Sequence, residues 1–443
     1  MIKTKNRLIK TKIPAPGSTK IISSLSKYES RSMHGQLPIV WKKAKNFNIF
    51  DNAGNKFIDF TSTIFVTNIG HSNKHLKNKL IKVLKNDFIH SYAYANSVKL
   101  KYIKKLVEIS KKHFEKAFLL SAGTEATEAA LKLMRLHGQS IKKKKLGIIC
   151  FEGNWHGRTM GAQLMSGNAQ QKKWIGLKDK NIHHLPFPYP WVLKKNKISP
   201  EKFLNDSIKK FKSKFNIEND ICGVMLETFQ GWGAIFYPKG YIKLLSKICK
   251  KNNILVCFDE MQSGFGRTGK MFGYEHYQVK PDLICLGKGM GGGIPISGVL
   301  GKGKIMDLPD VGNMSSTHSA NPLSCTAGLS VLDEIIKKKI ILNTNNKSQI
   351  LFEMLNKIKF KNKNFISHVS GKGLIAALIF KKTKNVNIFL KKVCLECMKN
   401  GLLVVYTGRE SIKIGPPLTI SKSALKEGLS ILDNAISKIF NEC

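Results

Sequence analysis

Residues 254–262 read I-L-V-C-F-D-E-M-Q. An unbroken apolar run of this length, closed by two carboxylates, predicts a strand buried on both faces. Four more runs have the same character: A-F-L-L at 117–120, L-G-I-I-C-F at 146–151, I-C-G-V-M-L at 221–226 and D-L-I-C-L at 282–286. Helix-patterned stretches separate them. The β-α-β-α order predicts an α/β fold, with a large domain on a mostly parallel sheet. In such sheets ligands bind outside the carboxyl ends of the strands, so the residues that follow each run carry the functional reading.

Outside this block the pattern changes. Residues 1–35 are polar and loop-like, and residues 39–60 read as a β-hairpin turning at D-N-A-G-N. A helix should begin at His75, with Leu76, Leu80, Val83 and Leu84 on one face. Residues 325–360 predict a long helix and its successor. Beyond them I-A-A-L-I-F and L-L-V-V-Y mix strands with amphipathic helices, a smaller terminal α+β domain. The expected division is 1–60 as an N-terminal segment and hairpin belonging to the small domain, 61–330 as the large domain, and 331–443 as the C-terminal small domain.

The 443 residues are 42% hydrophobic and 23% charged, an ordinary globular balance. No stretch approaches the roughly 18 apolar residues of a membrane span, so no membrane association is expected. The first twenty residues are basic without an apolar segment, which predicts no secretory leader. Nine scattered cysteines read as reduced thiols of a cytoplasmic protein. Cys394 and Cys397 lie on a helix-like segment with no second pair to complete a zinc site, so no metal is expected. The net charge of +45 invites a nucleic-acid reading, but the basic residues are 68 Lys and only 6 Arg, scattered along the chain. Base and phosphate recognition leans on the planar guanidinium fork. The charge is therefore read as a lysine-coated surface. A basic nucleic-acid binder remains the distant alternative, and would show steep salt dependence.

At the strand ends, S-A-G-T-E-A-T-E-A-A-L at 121–131 places Gly123 and Thr124 at a helix N-terminus, where free N–H groups suit a phosphate. Asp259 and Glu260 end their run together, an arrangement costly unless paired or facing a polar ligand; a metal site and a catalytic dyad are both open. The following G-F-G-R-T-G does not open a helix directly after a strand, so it is no dinucleotide fingerprint. Lys288 ends a buried run between Gly287 and Gly289. A partly desolvated lysine there can form imines. N-W-H-G-R-T at 154–159 offers Trp155 for ring stacking beside His156, and the hydroxyl-rich S-S-T-H-S-A-N-P-L at 315–323 suits a phosphate or a helix cap.

In combination and in this order, S-A-G-T-E-A, W-H-G-R-T, F-D-E-M-Q-S-G-F-G-R-T-G, P-D-L-I-C-L-G-K-G and S-T-H-S-A-N-P-L resemble the class-III aminotransferases, pyridoxal 5′-phosphate enzymes of fold type I. The resemblance covers roughly residues 35–440, including F-T-S-T-I-F-V-T-N-I-G-H at 60–71 and the late G-P-P-L-T-I. It makes residues 61–330 the cofactor-binding domain. It implies that Lys288 carries the cofactor as an imine and shuttles the substrate proton, and that Asp259 pairs with the ring nitrogen. By the same resemblance Gly123 and Thr124 hold the phosphate, and Trp155 stacks on the ring beside His156. Met261 and Gln262 line the other face. Thr317 reaches the phosphate of a neighbouring subunit, which implies a homodimer, or a tetramer built from it. Ile64, Arg158, Trp232 and Lys413 fall on the substrate side.

Two positions depart from the family pattern. Trp232 stands where many relatives have Glu, in Q-G-E-G/A-G. Lys413 stands where they have the Arg that takes an α-carboxylate; Arg409 is out of register with the motif and ranks below it. Lysine keeps the charge but loses the bidentate fork, which leaves 2-oxoglutarate and pyruvate both open as acceptor. The resemblance thus implies a transaminase moving an amino group from an ω-amino acid or amine, 4-aminobutyrate-like, to a 2-oxo acid. Dialkylglycine-decarboxylase-like and aminomutase activities are the alternatives on the same fold.

Overall fold

The computed structural model describes residues 1–211 and 215–442, which form two units. The larger comprises residues 75–231 and 235–336; the smaller comprises 1–74, 232–234 and 337–443.

The larger unit is built on seven strands: β1 (Lys116–Leu120), β2 (Gly147–Phe151), β3 (Ile182–Leu185), β4 (Ile221–Glu227), β5 (Leu255–Asp259), β6 (Leu283–Leu286) and β7 (Ser297–Gly301). Their order in the sheet is β1-β7-β6-β5-β4-β2-β3. All neighbours are parallel except around β7, which runs antiparallel to both β6 and β1. Strands β2, β4, β5, β6 and β7 are buried at every position. This is why their sequences run apolar without alternating. The parallel register sets Asp259 beside Glu227 on one side and beside Cys285 on the other. Helix α1 (Gly123–Ile141) crosses the sheet, burying Ala126, Ala130, Leu133 and Met134. At Gly138 a Cβ would stand 2.0 Å from the Lys145 carbonyl oxygen, so only glycine lets α1 approach this closely.

The smaller unit is α+β. Its four-stranded antiparallel sheet orders Ile366–Lys372, Ile375–Phe380, Ser411–Ile414 and Val405–Tyr406, and helices Ile340–Lys361, Val386–Lys399 and Lys422–Asn441 belong to the same unit. A second sheet holds Trp41–Lys45, Asn48–Asp51 and Lys56–Asp59, with Leu402–Leu403 added in parallel. The expected single hairpin over 39–60 is therefore a three-stranded meander. D-N-A-G-N makes its second turn, and Asn46, at φ +55°, makes the first.

Two other expectations change. Residues 1–35 carry a short hairpin, Ile2–Lys3 with Leu8–Ile9, and a helix over Ser18–Tyr28. The helix near His75 spans Lys74–Leu84 but buries only Leu76, and Leu84 is exposed.

The sharpest backbone feature of the smaller unit is a left-handed turn at Ser62, Thr63, Ile64 and Phe65, with φ of 46°, 52°, 61° and 68°. Each such residue costs roughly 1–2 kcal/mol without glycine's freedom. The turn is closed by Phe65 N–H to Thr61 O at 2.9 Å and Val66 N–H to Ser62 O at 2.8 Å. It is clamped by Ser62 Oγ–H to Gly415 O at 2.6 Å, with Phe65 against the bare Cα of Gly415.

Candidate active site

The carboxyl ends of β2, β4, β5 and β6 present the chemistry. Asp259 closes β5, is 4% exposed, and its Oδ2 lies 2.9 Å from His156 Nδ1. Its Oδ1 accepts the N–H of Met261 at 3.0 Å. His156 follows β2 and is held from three sides. Its N–H donates to Ser166 Oγ at 2.8 Å, its carbonyl accepts Thr127 Oγ1–H at 2.8 Å, and its imidazole meets Asp259. Its buried Nε2 has no hydrogen-bond partner among the described residues. A buried orphan of this kind at the end of a sheet is an opening for a polar ligand.

Glu260 does something different from its neighbour. Its carboxylate accepts the N–H groups of Gly273 at 2.7 Å and Tyr274 at 2.6 Å and the hydroxyls of Thr228 and Ser263. Four donors satisfy it, so of the two carboxylates that end the β5 run Glu260 holds the following loop and Asp259 faces the site.

Lys288 starts the turn after β6 at φ +41°, half-buried, and burial lowers its proton affinity, opposed by Asp259 and Glu227. Desolvation thus favours the neutral, nucleophilic amine. Gly287 before it and Gly123 at the start of α1 both yield to one side chain: a Cβ would stand 2.5 Å and 2.8 Å from Met261 Sδ respectively. Both glycines are therefore read as sites of close approach to Met261.

Thr124 is the second residue of α1, and its Oγ1 lies 2.6 Å from Thr159 Oγ1. Glu128 of α1 accepts the Thr159 hydroxyl and the N–H groups of Gly161 and Ala162, binding the start of α1 to the start of helix α2 (Met160–Met165). Trp155 carries the Arg158 guanidinium 4.6 Å from its ring centroid. Gln262 Nε2 lies 3.4 Å from Glu227 Oε1. Thr317 is exposed, its carbonyl 2.8 Å from His90 Nε2. The loop around it meets the end of β1 where Ser319 Oγ lies 3.4 Å from Ser121 Oγ.

The remaining three expected residues belong to the smaller unit. Ile64 is half-exposed in the left-handed turn. Lys413 is 3% exposed, with its Nζ 4.4 Å from the Phe65 ring centroid. Trp232 carries the Arg409 guanidinium 3.8 Å from its ring, and its carbonyl accepts Ser411 Oγ–H at 2.8 Å.

Sequence reasoning passed over Glu227. The signal was present, since a carboxylate closes the apolar run of β4 as Asp259 closes that of β5.

Comparison with known proteins shows the family. Residues 29–436 match the family described as aminotransferase class-III. The acetylornithine aminotransferase of Clostridium acetobutylicum is 33% identical over 419 residues, covering 93% of this chain and all of its own. The solved acetylornithine aminotransferase of Elizabethkingia anophelis is 26% identical, with a TM-score of 0.78 over 95% of this chain and 99% of its own. The ornithine aminotransferase structure from Plasmodium yoelii is 27% identical, with a TM-score of 0.79 over 95% and 99%. The chain belongs to the class-III aminotransferases: it is a pyridoxal-phosphate-dependent transaminase of fold type I, acting on an amino donor and a 2-oxo acid. Among the described residues no helix is long and apolar enough to cross a membrane.

Proposed function

We propose that this transaminase takes the terminal primary amine of an ornithine-type ω-amino acid, ornithine or its N-acetyl derivative, and passes it to a 2-oxo acid. The donor leaves as an aldehyde and the acceptor as a 2-amino acid. The relatives named for acetylornithine and ornithine support this donor class, and the 4-aminobutyrate expectation gives way to it.

The observation that carries the chemistry is the buried Asp259–His156 pair at the end of β5, with Lys288 at the end of the adjacent strand β6. The residues fit pyridoxal 5′-phosphate: a buried carboxylate for a protonated ring nitrogen, an unsatisfied His156 Nε2, and a desolvated lysine. When bound, the cofactor supplies an aldehyde for the amine and a ring that takes up negative charge. Around it, Asp259 holds the ring-nitrogen proton against its carboxylate, and His156 keeps Asp259 aimed. Lys288 Nζ would hold the aldehyde end of the cofactor and move the substrate proton. Trp155, Met261 and Gln262 would line the cofactor ring. The N–H groups at Gly123 and Thr124, with the Thr124 hydroxyl, take the phosphate. Thr317 from a second copy closes it, which makes the working form a homodimer.

Arg158 and Lys413 are the carboxylate-binding candidates, with Ile64 and Trp232 lining the substrate side. Trp232 in place of an acidic residue favours pyruvate-sized acceptors. The eight described cysteines are free thiols, which supports a reducing compartment, the cytoplasm.

A matrix of donors (N-acetylornithine, ornithine, 4-aminobutyrate) against pyruvate and 2-oxoglutarate tests the reading. N-acetylornithine or ornithine should give the highest kcat/KM. A higher kcat/KM for 4-aminobutyrate would refute the donor class.

A further inference from the structure

Glu227 ends β4 and lies beside Asp259 in the sheet register, 4% exposed. Its Oε2 accepts the Trp155 N–H at 2.9 Å and the Gly231 N–H at 3.2 Å. Its Oε1 lies 3.4 Å from Gln262 Nε2. A Cβ at Gly231 would come within 2.8 Å of Oε1 and 2.7 Å of Gln262 Nε2, so the chain runs bare past this carboxylate. One buried group thus fastens three segments leaving three neighbouring strands: Trp155 after β2, Gly231 after β4 and Gln262 after β5.

None of those partners carries a charge. The titratable groups that act on Glu227 are His156 after β2, Asp259 on β5 and Lys288 after β6, with the Tyr237 hydroxyl feeling its charge. Burial pushes the Glu227 carboxyl up to about 7; His156 opposes the rise and Asp259 adds to it.

The geometry points to Glu227 as a positioning residue of the cofactor site, one that holds Trp155, Gly231 and Gln262 in place across three strand ends. The inference rests on the cofactor reading above. An ionised carboxylate accepts both backbone N–H groups on Oε2. Protonation weakens it as an acceptor and can turn a hydroxyl toward one of those donors. Ionised Glu227 also raises the proton affinity of Lys288. The ring slot is therefore tightest on the alkaline side of the Glu227 transition.

The test is pyridoxal phosphate titration of the full-length apoenzyme, followed by tryptophan fluorescence and by the cofactor's visible absorbance band, for wild type, Glu227→Gln and Glu227→Asp. The cofactor's own ionisations are common to all three proteins and cancel in the ratio of affinities. The wild-type to Glu227→Gln affinity ratio should grow about tenfold between roughly pH 6 and pH 8, the worth of one charge-assisted hydrogen bond. Glu227→Asp keeps the charge on a shorter arm, so it should bind more weakly than wild type and keep the pH step. Parental affinity at every pH in Glu227→Gln overturns the proposal. So does a Glu227→Asp to Glu227→Gln ratio without the step, and, should Glu227→Gln fail to fold, a Glu227→Asp protein that binds as tightly as wild type at every pH. Failure of the cofactor reading looks different: wild type would take up no cofactor, or borohydride would label a lysine other than Lys288.

Discussion

Lys288 is one of 68 lysines, and composition gives no reason to choose it. Its place does, since it leaves a buried strand between two glycines, with φ at +41° and its proton affinity lowered by burial. Lys288→Ala should fold and bind pyridoxal phosphate non-covalently, while turnover falls by more than about 10³-fold, within the range of a lost general acid–base. Borohydride reduction and peptide mapping of wild type should place the pyridoxyl group on Lys288, and a label elsewhere would reassign the site. Arg158 is the second residue-scale case. Arg158→Lys keeps the charge but loses the fork, so use of a donor carboxylate should weaken by about 1–2 kcal/mol, roughly five- to thirtyfold in KM. An unchanged KM for every donor would remove Arg158 from the substrate side. Lys413 is harder to read, because its amine lies over the Phe65 ring and is buried. The motif register identified the position, and only the packing reveals that neighbour.

Among the elements, α1 bears most on the site, because its first turn carries Gly123 and Thr124 while its body lies on the sheet. Gly138→Ala would gain about 1 kcal/mol of helix propensity. The new Cβ, however, would collide with the Lys145 carbonyl at 2.0 Å and with Cys222 Cβ at 2.4 Å. Overpacking against backbone typically costs about 1–3 kcal/mol and occasionally more. The urea midpoint should therefore fall, and pyridoxal phosphate affinity should fall with it as the start of α1 shifts. A higher midpoint would show that the helix slides without loss. The strands that were easy to read, β2, β4, β5 and β6, are buried throughout and carry nothing but apolar residues and glycine before their last position. Strand β3 was missed because it is the sheet's edge and reads I-H-H-L; β7 was missed because S-G-V-L-G looks like a turn.

At the scale of the whole molecule, the exposed Thr317 is the residue whose proposed role depends on assembly. If a second copy closes the phosphate, Thr317→Ala should lose cofactor faster on dilution than wild type, with a monomer–dimer midpoint unchanged by sedimentation. A wild-type monomer that retains pyridoxal phosphate at nanomolar concentration would contradict the shared site. The net charge of +45 is carried by lysines scattered along the chain. Ion pairs such as Lys202–Asp206 and Lys357–Glu353 are surface contacts, each of little worth to stability.

The sequence by itself determined the α/β class and four strands buried on both faces, and its ordered motifs pointed to the family and so to Asp259 and Lys288 as candidates. The class and the strands follow from short-range signals, run length and periodicity; the two residues were singled out by the family resemblance of the ordered motifs. Only the tertiary structure decided which carboxylate met which partner. Asp259 pairs with His156, 103 residues away, while Glu260 turns to cap a loop; Glu227 ties Trp155 to Gly231 and Gln262; and the left-handed turn at 62–65 is clamped by Gly415. Those outcomes depend on strand order, register and close backbone approach. Such contacts join residues far apart in the chain, so no local window of sequence contains them.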